Sequence, residues 1–110
     1  MEFLLLICND PTGEEYSPAE DNIADWVDEV SASGARLTGN RLHPQDRAKS
    51  VRRRRGKVLV TDGPFADTKE RIGGFDLLEC DSLDEAVEIA SKHPMARFGC
   101  VEVRPIWPFE

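Results

Sequence analysis

The spacing of apolar residues switches between two periods along the chain, and each switch marks an element. Phe3 to Ile7 are five consecutive apolar residues, halted by the turn formers Asn9-Asp10-Pro11-Thr12-Gly13, which predicts a first strand that is apolar on both faces. Ser17-Pro18-Ala19-Glu20 has the spacing of a capping box with proline at the first helical position. Ile23, Trp26, Val27 and Val30 then recur at helical spacing up to Gly34. A helix of about four turns is expected, with Asp21, Asp25, Asp28 and Glu29 in water.

Ala35 to Leu42 reads as a second, shorter strand interrupted by Gly39 and ended by Pro44. Lys49 to Arg54 and Lys57 to Thr61 flank Arg55-Gly56, the pattern of a β-hairpin with Gly56 at positive φ. Asp67 and Glu70 have capping-box spacing for one helical turn that Gly73-Gly74 would end, before a strand from Phe75 to Cys80. Ser82-Leu83-Asp84-Glu85 is a further capping box. Leu83, Ala86, Val87 and Ala90 form the stripe of a second helix stopped by Pro94, and Cys100 to Ile106 alternates as the last strand.

The order is β-α-β, a hairpin insertion, then β-α-β. It predicts an α+β domain over 1–110, a ferredoxin-like antiparallel sheet with both helices on one face. Phe3, Leu5 and Ile7 would face the helices, which leaves Leu4, Leu6 and Cys8 on an uncovered face. A homodimer joined sheet to sheet is the expected cover, and it would enclose a cavity. Asp76 and Glu102 stand at positions where polar groups enter the sheet faces, which makes them candidate substrate contacts.

Composition narrows the classes. At 110 residues, 40% hydrophobic and 32% charged, the chain can bury roughly two-thirds of its unfolded surface in one core, without metal or disulfides. The net charge of -7 argues against nucleic acid as a partner. The first residues lack a basic leader and the apolar run is too short to span a bilayer, so no membrane is expected and the cytoplasm is the simplest compartment. Cys8, Cys80 and Cys100 are odd in number and widely spaced, and they read as buried, inert thiols.

Candidate chemistry is sparse. Asp62, in Asp62-Gly63-Pro64-Phe65, has two readings: the Asx residue of a turn whose Phe65 plugs the core, or a general base beside Lys69, which would hold an anionic substrate group. His43 is the side-chain type best suited to acid/base work but sits in a loop next to proline. His93 ends a helix, where a cation favours the dipole. The two histidines make no recognisable metal site, and no cofactor is called for. Arg52 to Arg55 on a strand would alternate between faces, giving a solvated hairpin edge or a dock for an acidic protein. Trp26 belongs to the core, and Trp107 is positioned to pack across a dimer.

Thr61 to Glu70, followed by Gly73-Gly74-Phe75, Leu83-Asp84-Glu85-Ala86, Pro94 with Ala96-Arg97, and Val101 to Pro105, resembles the YCII-related family, in particular its DGPF (DGPFAETKE) branch. The resemblance implies a dimeric α+β barrel of ferredoxin-like subunits. It also implies candidate enzymes, because the fold is shared with small isomerases and oxygenases, and a link of some members to sigma-factor genes. Certain relatives carry a His-Asp pair in the pocket; the matching aspartate is Asp62, while His43 stands where relatives commonly have an uncharged residue. Asp67 replaces the glutamate of the family pattern, and Arg52 to Arg55 are more basic than usual. Three functions are thus in view: a cofactor-independent proton-transfer enzyme using Asp62 and His43, a small-molecule-binding accessory protein, and a protein-interaction module.

Overall fold

The computed structural model describes residues 1–64 and 71–109. Asp67, Lys69, Glu70 and the Phe65 plug lie outside them. Four strands, β1 (Glu2–Asn9), β2 (Arg36–Arg41), β5 (Arg71–Glu79) and β6 (Cys100–Pro105), form one antiparallel sheet in the order β2-β5-β1-β6. Helices α1 (Ile23–Ala32), α2 (Leu83–Ser91) and α3 (Pro94–Phe98) cover one face. This is the ferredoxin-like α+β arrangement expected from the element order. Strands β3 (Lys49–Arg54) and β4 (Lys57–Asp62) pair only with each other.

The alternation in β1 divides the sheet. Phe3 and Leu5 are wholly buried, opposite Leu78 and Asp76 of β5, and they meet Trp26, Val30, Ala86 and Ala90 from the helices. Burying side chains of this size stabilises by about 1.5–3 kcal/mol each. Trp26 also donates from Nε1 to the Ile89 carbonyl at 3.0 Å, tying α1 to α2. Leu4 and Leu6, paired with Leu77 and Phe75 of β5 and with Arg104 and Glu102 of β6, occupy the other face, where no helix lies among the described residues.

Several local expectations are corrected. Ser17 makes no side-chain cap, and Pro18–Glu20 is an isolated 3-10 turn. Asp21 is extended and its carboxylate accepts from Ile23 N–H at 3.1 Å, so α1 starts there and has ten residues. Glu20 turns instead to Arg97, 3.4 Å away. Gly73 and Gly74 do not end a helical turn but lie inside β5. A side chain on Gly74 would come within 3.0 Å of the Asn40 carbonyl. Pro94 does not merely stop α2; it opens α3. Leu83 and Val87 are exposed, leaving Ala86 and Ala90 as the buried stripe. Cys100 is exposed and Cys8 half-buried, and only Cys80 fits the expectation of a buried thiol. The Ser82 cap holds, with Oγ accepting from Glu85 N–H at 3.1 Å, and Gly34 takes φ 84° after α1.

Gly39 does not interrupt β2; it makes room. The Asp76 carboxylate and the Arg36 guanidinium lie across it, and a Cβ there would overlap the carboxylate and approach Arg36 Nη2 to 2.6 Å. Gly39→Ala is expected to lower the unfolding free energy by about 1–3 kcal/mol. In an Asp76→Ala background urea denaturation should show about 1 kcal/mol less penalty; equal penalties in both backgrounds would place the strain elsewhere.

Candidate functional site

The extended backbone of β1 and β5 carries Ile7, Gly74 and Asp76 on the helix side, and beyond the end of the core the helices leave this stretch uncovered. The result is a cleft of about 970 Å3 between the sheet and the first turn of α1, bounded also by the start of α3 and by the loop after β2. Ile23 and Val27 form its apolar wall. This explains why Ile23, at core spacing on the helix, is nonetheless exposed.

Asp76 is the buried charge at this site. It faces Leu5 on one side and Gly39 on the other, and its Oδ1 accepts from Arg36 Nε at 2.8 Å. Burial pushes its carboxyl above the ordinary value, while the hydrogen bond and charge of Arg36 pull in the opposite direction without cancelling the effect. An ionised Asp76 is therefore a stronger base than a free aspartate. His43 stands at the cleft's edge, in the loop after β2. Arg41 also reaches the cleft.

The other proposed site residues are dispersed. Asp62 ends β4, its side chain 83% exposed and ion-paired with Lys49, and it is absent from the cleft lining. Glu102 lies on the open face opposite Leu6, paired with Arg104. Asp76 and Glu102 thus point to opposite sides of one sheet. Lys69 is outside the described residues. The structure brings Asp76 and His43 to one cleft, and this cleft opens on the helix side, away from the face available to a second sheet. Among the described residues no three His, Cys, Asp or Glu side chains cluster to hold a metal.

Arg36 escaped notice because its partner lies forty residues away. β2 itself has no buried residue that would mark Arg36 as facing inward.

His93 needs a change of sign. It caps α3 rather than α2, accepting at Nδ1 from Met95 N–H at 3.0 Å, and its ring packs edge-on against Trp26 at 4.6 Å. Burial lowers its pKa to about 4, opposed only in part by Asp21, so it is a neutral imidazole with its proton on Nε2.

A model of the YCII-related domain matches residues 1–110. The chain belongs to the YCII-related domain family. It is also 46% identical over 68 residues to the uncharacterised protein R00369 of Rhizobium meliloti (strain 1021), an alignment covering 60% of this chain and 55% of that protein. The chain thus spans about half the length of this relative. The YCII-related fold agrees with the strand order found here, and no helix among the described residues is long and apolar enough to cross a membrane.

Because the folded pKa of His93 is depressed from 6.5 to about 4, its neutral form adds stability above pH 6.5 that is lost as the pH falls through that interval. Urea unfolding is expected to show a loss approaching about 3 kcal/mol between pH 7 and pH 4 from this group. His93→Gln should flatten that part of the profile, and an unchanged slope would assign the acid sensitivity to other groups.

Proposed function

We propose that this YCII-related domain binds a small organic molecule in the cleft between helices and sheet and moves a proton on it, without a cofactor. The observation carrying this reading is Asp76, a buried carboxylate at the cleft, oriented by Arg36 and made more basic by desolvation. Asp76 is the base in this reading. His43 is the second acid/base group, and Arg41 meets an anionic part of the ligand; among the described residues Arg41 has no carboxylate within 4 Å. Asp62 has a structural place in this reading, at the end of β4, where its charge is matched by Lys49.

The test is a ligand screen by NMR followed by solvent-deuterium exchange at carbons of each bound ligand. Asp76→Asn should retain binding and lose exchange by 100-fold or more, in the range expected for removal of a general base at about 10²–10⁴, while Asp62→Asn should leave both unchanged. Exchange that survives Asp76→Asn would overturn the assignment of the base. Binding without exchange in the unmodified protein would make the cleft a binding site only.

We also propose that two copies pair through the open sheet faces. Leu4, Leu6, Phe75 and Leu77 remain only half-buried there, in a contiguous apolar strip that water leaves unsatisfied. Leu6→Glu is expected to yield a monomer in sedimentation equilibrium with the cleft's ligand affinity intact. A monomeric mass for the unmodified protein at high micromolar concentration would remove the dimer.

A further inference from the structure

The β3–β4 hairpin has the right turn and the wrong surroundings. Arg55 and Gly56 take φ 51° and 78°, the pair of left-handed residues that a tight two-residue hairpin needs. Yet a two-stranded ribbon alone is at best marginally stable in water. Among the described residues nothing covers it: apart from Ser50 and Arg52 every strand residue is exposed. The molecule is correspondingly broad and thin, 47 × 41 × 20 Å.

The register gives the ribbon two unlike sides. Val51 faces Val60 and Arg53 faces Val58, so one side presents three valines, exposed by 67%, 58% and 54% for Val51, Val60 and Val58. The other side carries Arg52, Arg54 and Lys57 with Leu59. At its root Lys49 pairs with Asp62, and the Ser50 hydroxyl donates to the Gly63 carbonyl at 2.8 Å. The root is fixed and the valine side is bare.

Charge identifies the occupant. Residues 49–62 hold six cations against the single carboxylate of Asp62, whereas the other 96 residues hold eight cations against twenty carboxylates. Every copy of this chain therefore carries both a basic ribbon and an acidic body. Arg53, on the valine side, and Arg55, at the tip, have no carboxylate within 4 Å among the described residues. An acidic body is available in another copy at the protein's own concentration, and the valines stay more than half exposed in the single chain.

The geometry points to the hairpin as a clasp on a second copy of this chain: the Val51-Val58-Val60 side packs on the partner subunit while Arg53 and Arg55 meet its carboxylates. This rests on the homodimer proposed above and extends it, since the sheet faces alone leave the ribbon uncovered. Apolar contact would supply the affinity, and the charges its orientation and salt dependence.

The experiment mixes 13C-labelled and unlabelled full-length chains and collects isotope-filtered NOEs, alongside sedimentation of an Arg53→Glu, Arg55→Glu variant. Intermolecular NOEs to the methyls of Val51, Val58 and Val60 are expected. The charge-reversed variant should dimerise about tenfold more weakly at low salt, with its thermal midpoint as a dilute monomer unchanged. Intermolecular NOEs confined to Leu4, Leu6, Phe75 and Leu77 would leave the homodimer standing and overturn the clasp. No intermolecular NOEs, with a monomeric mass, would remove both. A ribbon whose methyls show no intermolecular NOEs but whose amides shift on adding an oligonucleotide would give its basic side a different partner and also overturn the clasp.

Discussion

The ion pair between Arg36 and Asp76 is the constraint around which this half of the molecule is arranged. A carboxylate placed among Leu5, Leu78 and the backbone of β2 loses its water, and removing a partner from such a buried pair typically costs about 3–5 kcal/mol. Three features follow from keeping the pair intact. β2 must lie against β5 so that Arg36 can reach, Gly39 must have no side chain so that the carboxylate can cross it, and the helices must stop short of the charged end of the sheet. That last requirement is what leaves a cleft rather than a core beyond Trp26. Stability and the candidate chemistry thus draw on the same residues, so substitutions at Gly39, Arg36 or Asp76 alter both together.

The two faces of the sheet divide different tasks between alternate residues of the same strands. Phe3, Leu5 and Leu78 serve the core and Asp76 the cleft, while Leu4, Leu6, Phe75 and Leu77 carry an apolar surface with no partner among the described residues. Because strand side chains alternate with period two, neither face can be changed by sliding the register without exchanging the whole set. The hairpin stands outside this division and has no core of its own.

Much of the architecture was legible in the sequence because it depends on local repetition. The five-residue apolar run of β1, the alternation of β6, the Arg55-Gly56 turn, Gly34 after α1 and the Ser82 cap all act within a few residues of themselves. The start of α1 was not, because the Ser17-Glu20 signal is answered elsewhere: Glu20 is taken by Arg97, and Asp21 supplies its own turn to Ile23. The cleft was misplaced for the same reason. Asp76 and Glu102 were both recognisable as polar intrusions, but which face each occupies depends on the register between strands distant in sequence. The role of Gly39 and the neutral state of His93 are likewise set by Asp76 and Trp26, residues that become neighbours only after folding.

The pairing of β1 also has a kinetic side. It is the most continuous apolar strand and the earliest in the chain, yet both of its neighbours, β5 and β6, begin at Arg71 and Cys100. During synthesis Phe3 to Ile7 therefore have no strand partner until most of the domain has left the ribosome. Sheets closed by such distant pairings fold slowly and expose sticky segments in the interval. The central strand that organises the finished molecule is, for the nascent domain, its longest unprotected stretch of hydrophobic sequence.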